Sequence, residues 1–146
     1  MDNGQPFRNY SNNKQSKSLI RIETTYNINS ICPDLVNRSK KEGLLFIDSI
    51  LFFVVFNKKT PIAFFGLKIG TSSAVLKCAY VIKEYRRQGL LKKLTLYRLQ
   101  FLKKNMPSIK EVSANTTKMA TGVHLSIGAK EIAKYKNGIT KIKYEL

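Results

Sequence analysis

Three apolar runs of strand length, separated by a few turn residues, constrain the fold more than any other feature of this sequence. The runs span 45–56, 61–69 and 74–82 and are dense in Leu, Ile, Val and Phe. The intervening stretches Asn57-Lys58-Lys59-Thr60 and Gly70-Thr71-Ser72-Ser73 are typical of tight turns. Because such short connections join antiparallel neighbours, the sequence predicts an antiparallel meander that carries much of the core.

After the meander the hydrophobic period changes from that of a strand to that of a helix. Leu90, Leu94, Tyr97 and Phe101 are spaced by four, three and four residues, which predicts an amphipathic helix over 89–105. The solvent side of this helix is assigned to cationic residues, namely Lys92, Lys93, Arg98, Lys103 and Lys104.

The remaining segments predict the element order β-α-β-β-β-α-β-α-β-β. They are a strand from Leu19 to Thr24, a short helical region at 27–41 with Pro33 near its start, a strand at 109–114, a helix at 117–127 ended by Gly128, a strand at 129–135, a type I′ turn at Asn137-Gly138 and a strand at 139–145. The predicted fold class is therefore α/β (α+β), with a mixed, mostly antiparallel sheet and a central βαβ crossover.

Length and composition bound the organisation of the chain. We expect one domain at 17–146, preceded by a flexible polar arm at 1–16. No apolar run approaches the ~20 residues of a membrane span, and no secretory leader follows Met1. Cys32 and Cys78 are too few for a disulfide framework, so we expect reduced, buried thiols in a cytoplasmic protein. One His and two distant Cys predict no metal site.

The charge of the sequence restricts the kind of partner. Lys and Arg number 26 against 9 Asp and Glu, which gives a formal net charge of +17 at pH 7. This excess predicts an anionic partner, which is nucleic acid, a cofactor that carries several phosphates, or both.

The segment at 80–94 predicts where an anion would bind. A strand ends at Ile82, a basic loop with Arg86 and Arg87 follows, and Gly89 opens the long helix. The first turn of a helix has N–H groups without intrahelical partners and lies at the positive end of the helix dipole. Gly89 has no Cβ to keep a phosphate away, and the two arginines add favourable charge.

This segment resembles the acyl-CoA-binding motif of the GNAT superfamily of N-acyltransferases. In that motif a strand ends near a Val, a Pro-Glu-Tyr-Arg stretch follows, and Arg/Gln-x-x-Gly-x-Gly/Ala opens a helix. Val81, Glu84-Tyr85-Arg86 and Gly89 are in register with it. Asn115 closes a later strand, and the stretch from His124 to Ala129 stands where many members have Tyr-x-x-x-Gly-Phe. The resemblance covers roughly residues 45–146.

The resemblance implies a GNAT-like fold with helices on both faces of the sheet, and acetyl-CoA as cosubstrate. The pantetheine arm would lie beside the end of the strand at 74–82, the N–H near Val81 would polarise the thioester carbonyl, and the loop amides would hold the diphosphate. The cofactor-binding residues that it implies are Tyr80, Val81, Ile82, Arg86, Arg87, Gln88, Gly89, Leu90, Leu91, Lys92 and Asn115.

Three features of the sequence depart from the family pattern. Leu91 replaces the second Gly or Ala of the motif. His124 stands where many members have the Tyr that protonates the leaving thiolate; it is a candidate acid or base, with a surface or core role as the alternative. The strand at 74–82 has no carboxylate, so the general base is open. The candidates for it are Glu84, Glu111, Asp48 or a chain of water molecules.

Two functions follow. The first is an N-acyltransferase that moves an acetyl group from acetyl-CoA to an amine, with His124 and Glu84 as the catalytic candidates. The alternative is a GNAT-fold protein that modifies or merely binds nucleic acid through its basic surface.

Overall fold

Seven strands and four helices make up residues 20–146, which are the part of the chain that the computed structural model describes. The strands are β1 Ile20–Thr25, β2 Leu51–Asn57, β3 Thr60–Ile69, β4 Ser73–Val81, β5 Glu111–Thr116, β6 Lys130–Lys134 and β7 Thr140–Glu145. The helices are α1 Ile28–Ile31, α2 Pro33–Lys41, α3 Leu90–Asn105 and α4 Lys118–Ser126, with a short 3₁₀ turn at Lys83–Tyr85. The predicted polar arm at 1–16 lies outside the described residues.

The predicted element order and fold class are confirmed. The strands are hydrogen-bonded in the order β1-β2-β3-β4-β5-β7-β6. β1 is antiparallel to β2, and β7 is antiparallel to both β5 and β6. β4 and β5 are parallel, and α3 connects them, which is the predicted βαβ crossover. The helical region at 27–41 is two helices because the chain turns at Cys32, and Pro33 then occupies the first position of α2, where its missing N–H costs nothing.

The described chain divides into two compact units. The first unit contains the described residues up to Gly66 together with Cys78–Arg86. Its core is aromatic: the Phe46 ring stacks on Phe52 at 5.3 Å between centroids, and Phe64 meets both rings edge-on. β2 is buried on both of its faces from Leu51 to Phe56, as its continuous apolar sequence predicts.

The second unit contains Leu67–Lys77 and Arg87–Leu146. Its core is aliphatic and includes Leu94 and Leu102 of α3, Val112 of β5 and Ile142 of β7, all fully buried. The parallel pairing of β4 with β5 runs from Ser73 opposite Glu111 to Val75 opposite Ser113.

Two predictions about the strands are wrong. The run at 45–56 becomes a strand only from Leu51, since the chain bends at Ser49 and the Leu45 side chain is 89% exposed. Asp48 and Ser49 are poor strand formers and good turn formers, so polar chemistry overrides the apolar residues around them. Cys78, expected to be buried, is half-exposed and has a φ of 55°, so it interrupts the regular alternation of β4.

The hairpin at the end of the chain is confirmed, but its predicted type I′ turn is wrong. A type I′ turn needs a positive φ at both central residues, and here Gly138 has a φ of 86° while Asn137 has no positive φ. Gly138 N–H donates to the Tyr135 carbonyl at 3.1 Å, and Tyr135 N–H donates to the Ile139 carbonyl at 2.9 Å. The chain therefore reverses over a longer loop in which glycine takes the left-handed position.

We predict that Lys58→Gly stabilises the protein by about 0.5–1 kcal/mol. Lys58 has a φ of 59° in the two-residue connection between β2 and β3, a conformation that is strained for an L-residue and free for glycine. The matched control is Lys59→Gly, which removes the same charge at a neighbouring residue whose φ is not positive, and which should lower stability slightly. Urea unfolding of both variants measures the difference, and equal effects of the two substitutions would contradict the assignment.

Candidate functional site

The loop between β4 and α3 has the backbone shape that a helix-start anion site requires. Arg87 has a φ of 64° and Gly89 a φ of 83°, so the chain takes two left-handed steps before α3 begins at Leu90. Residues Arg86 to Gly89 are all exposed. The loop is therefore open to a ligand rather than folded into the interior.

The N-terminus of α3 has backbone donors that the helix does not use. The Lys93 N–H donates the first helical hydrogen bond, to the Gly89 carbonyl at 3.1 Å, so the N–H groups of 89–92 precede the ladder. Gly89 is the N-cap and provides no side chain to accept from them, and the first turn has no acidic residue. Leu90 is buried, and Leu91, which replaces the small residue of the GNAT motif, is half-buried. This end of α3 favours an anion.

Arg86 is engaged within the first unit. Its Nε donates to the Val81 carbonyl at 2.7 Å, and its Nη2 donates to Glu42 Oε1 at 2.6 Å. The Tyr80 hydroxyl donates to the other oxygen of Glu42 at 2.6 Å. These two hydrogen bonds, from Tyr80 first and then Arg86, hold the pKa of the Glu42 carboxyl below its usual value. The assignment of Arg86 to phosphate stays a prediction, and the structure gives this side chain a role in fixing the end of β4.

The other predicted residues near the end of β4 differ in accessibility. Tyr80 and Ile82 are buried and Val81 is half-buried, and the Ile82 N–H donates to the Ile62 carbonyl at 3.0 Å. Glu84 accepts from Arg38 Nη2 at 3.3 Å, and its side chain is two-thirds exposed. Glu84 is therefore placed where a proton can exchange with solvent.

His124 lies in the interior of the second unit. Its side chain is 3% exposed, and its Nδ1 is 2.6 Å from the Tyr144 hydroxyl. Burial, and then the charge of Arg98, lowers the pKa of His124 from 6.5 to about 4. The imidazole is therefore neutral at pH 7 and almost entirely buried. Its catalytic role stays a prediction, and this placement favours the alternative of a core residue.

Arg98 was assigned to the solvent side of α3, and this is wrong. Its side chain is 1% exposed, with Nε donating to the Leu94 carbonyl at 3.1 Å and Nη2 donating to Thr95 Oγ1 at 3.3 Å. The buried face of α3 contains Leu94, Arg98 and Leu102, spaced by four, whereas Tyr97 and Phe101 are only half-buried. Burial lowers the pKa of the Arg98 guanidinium to about 9. The four-residue spacing of Leu94, Arg98 and Leu102 could have identified this buried face. The charge of Arg98 instead favoured a face that contains Tyr97 and Phe101.

Asn115, predicted to bind the cofactor, lines a cavity of about 380 Å³ in the second unit. The lining also includes three lysines that the sequence analysis did not single out, at positions 68, 77 and 141. They lie on three different strands, so no local motif joins them. Tyr135 also borders this cavity and is 47% exposed.

Two further features bear on the predicted partners. No helix within residues 20–146 is long and apolar enough to cross a membrane. Over the same residues, no three side chains of His, Cys, Asp or Glu are grouped as ligands of a metal ion.

Burial raises the pKa of the Cys32 thiol to about 11, so this cysteine is not a reactive thiolate.

Solved structures share this fold at low sequence identity. An acetyltransferase from Bacillus subtilis in complex with CoA superposes with a TM-score of 0.67 at 14% identity, covering 87% of this chain and 99% of the other. The ribosomal-protein-S18-alanine N-acetyltransferase from Escherichia coli has a TM-score of 0.66 at 14% identity, with coverage of 86% and 93%. The PaiA N-acetyltransferase from Thermoplasma acidophilum in complex with coenzyme A has a TM-score of 0.57 at 22% identity, with coverage of 77% and 68%.

The chain therefore has the fold of the GNAT N-acetyltransferases, as its sequence predicted. No protein-family model matches the sequence, and no curated protein matches it. Binding or modification of nucleic acid stays a prediction that rests on the net charge of +17.

We predict that His124 titrates near pH 4 and that its burial makes stability depend on pH. The unfolded chain binds a proton at His124 below about pH 6.5, and the folded chain does so only near pH 4. The free energy of unfolding should therefore fall as pH is lowered through this window, by roughly 3 kcal/mol from this group. His124 is the only histidine of the sequence, so a single imidazole NMR signal reports its pKa directly.

The control for this prediction is His124→Gln, which keeps a polar side chain beside Tyr144 and cannot titrate. Stability of this variant should fall less between pH 6.5 and 4 than that of the parent, because only the carboxylates remain to respond. An imidazole that titrates near pH 6.5 would contradict the burial.

Proposed function

We propose that this protein is an N-acyltransferase that transfers the acetyl group of acetyl-CoA to the nitrogen of a small amine. The observation that supports it most is the start of α3, where an exposed basic loop leads to a helix without a side-chain cap. The shared fold with acetyltransferases, two of them in complex with CoA, is consistent with the proposal. The fold alone does not assign an activity, so the proposal rests on the chemistry of this loop.

The residues of the loop fit the diphosphate of coenzyme A. The N–H groups of 89–92 would donate to its oxygens, since their only local competitor, an N-cap side chain, is missing at Gly89. The exposed Arg87 would add a positive charge beside them. The Leu91 side chain is half-buried and apolar. The group that Leu91 would offer to the diphosphate is therefore its backbone N–H.

Bound acetyl-CoA would supply an activated acyl group as a thioester. The nitrogen of the acceptor forms a bond to the carbonyl carbon, the bond from that carbon to sulfur breaks, and the nitrogen loses a proton while the sulfur gains one. Backbone N–H near Val81 would stabilise the negative charge that develops on the carbonyl oxygen. Positioning of the two reactants also lowers the barrier, because it makes a bimolecular step effectively unimolecular.

Glu84 is the better supported of the two proposed catalytic residues. The Glu84 side chain is 65% exposed and so in contact with water that can carry a proton, whereas His124 is only 3% exposed. The Arg38 guanidinium, 3.3 Å from Glu84 Oε1, would orient this carboxylate.

We predict that acetyl-CoA stabilises the protein and that Gly89→Ala abolishes this effect. At a concentration 100 times the Kd, a ligand adds about 2.7 kcal/mol, which corresponds to roughly 5 °C or more in Tm for a chain of this size. A Cβ at Gly89 would be strained at a φ of 83° and would lie 3.5 Å from Lys93 Nζ. The substitution should therefore distort the amides that hold the diphosphate.

The matched control is Gly138→Ala, at a φ of 86° with nothing within 4 Å of the added Cβ. It introduces the same backbone strain in the β6–β7 hairpin and should lower Tm while the shift caused by acetyl-CoA remains. Thermal unfolding with and without 1 mM acetyl-CoA measures both variants. Equal shifts in the parent and Gly89→Ala, or no shift in the parent, would refute the proposed site.

A further inference from the structure

Three lysines converge on one cavity of the second unit. Lys68 at the end of β3, Lys77 of β4 and Lys141 of β7 all line a cavity of about 380 Å³, which we call the lysine cavity. Its described lining contains no carboxylate. The uncharged groups beside the lysines can also donate hydrogen bonds, and they are Ser73, Ser113, Asn115 and Tyr135.

The lysines of the cavity have no ion-pair partner among residues 20–146. Lys143 shows the contrast, because it lies two residues along β7 from Lys141 and so on the same face of the strand. Its Nζ is 3.4 Å from Glu111 and 3.2 Å from Glu145. The carboxylates of this face thus pair with Lys143, and none within residues 20–146 is at ion-pair distance from a lysine of the cavity.

An uncompensated group of cations in a concave wall attracts an anion. Like charges that share a cavity repel one another. A bound anion attracts each of the lysines, and this attraction offsets their mutual repulsion. Concave walls of low dielectric also concentrate the field and raise the local concentration of oppositely charged ligands. The arrangement is therefore suited to a ligand with a carboxylate or phosphate group.

The size and position of the cavity indicate the kind of ligand. A volume of about 380 Å³ is at the lower end of the range for small-molecule pockets and is too small for a nucleic-acid helix. The cavity runs from Gly70 and Ser73, at the β3–β4 turn, along the parallel pairing of β4 and β5 to Lys77 and Asn115, which lie beyond the pair of Val75 with Ser113.

We propose that the lysine cavity binds the carboxylate or phosphate group of a small amine, and that the acceptor is therefore an anionic amine. The assignment to the acceptor rests on the proposed function, whereas the binding of an anion does not. The cations also disfavour a further positive charge nearby, so a bound amine would be held in its neutral, nucleophilic form.

The anion site is tested by NMR titration of the ¹⁵N-labelled full chain at constant ionic strength. Inorganic phosphate and succinate are the two probes, and the tighter of them identifies the group that the cavity prefers. Saturable shifts should centre on the amides of Val75, Ser113 and Asn115. Their absence with both probes would overturn the proposal.

Substitutions locate the binding in the cavity. Lys77→Gln and the more exposed Lys68→Gln should each weaken the tighter probe about fivefold. Lys104→Gln removes the same charge from the C-terminal end of α3 and should leave the Kd unchanged. Equal weakening by all three variants would mean that the probe senses only net charge, which would overturn the site.

The acceptor assignment is tested with matched amines in the presence of saturating coenzyme A. Phosphoethanolamine and β-alanine should bind at least tenfold more tightly than ethanolamine, and should do so while the cofactor is bound. Equal affinities, or displacement of the anionic amines by coenzyme A, would overturn the assignment. A chain that binds these amines but shows no binding of coenzyme A would contradict the proposed function and leave the anion site standing.

Discussion

The unsatisfied backbone donors at the start of α3 are the feature on which the proposed acyl transfer depends. A helix end with four N–H groups that lack intrahelical partners is stable only when water, a side chain or a ligand accepts from them. Here Gly89 stands at the N-cap position with a φ of 83°, a conformation that favours glycine, and so the cap provides no side-chain acceptor. These donors lie beside an exposed loop, so water or a ligand must accept from them.

Some of the charged side chains, like the backbone donors at the start of α3, have no partner of opposite charge within residues 20–146. Six carboxylates of the described chain are already in ion pairs, including Glu42 with Arg86 and Glu111 with Lys143. Among the cations of residues 20–146, the three lysines of the lysine cavity are not members of any ion pair. Positive charges gathered in a concavity repel one another, and the proposed anionic ligand would relieve this repulsion.

Local patterns predicted the element order because each element has its own hydrophobic period and its own turn chemistry. The βαβ crossover and the loop before α3 could be read from residues that are close in sequence, and the structure places them as expected. Long-range placement could not be read in this way. The lysine cavity brings residues 68, 77 and 141 together through strand pairing. Arg98 is buried by the packing of α3, whereas its charge had predicted an exposed position. Both depend on contacts between distant segments.

The engagement of Arg86 has a consequence for binding that a free guanidinium would not have. Its hydrogen bonds to Glu42 and to the Val81 carbonyl fix the chain at the end of β4 before any ligand arrives. A side chain that is already ordered loses little entropy when a ligand binds beside it, so less of the interaction energy is spent on ordering. Within the first unit Arg86 is therefore ordered in advance at the end of β4, and its charge is shared with Glu42 instead of being directed at a ligand.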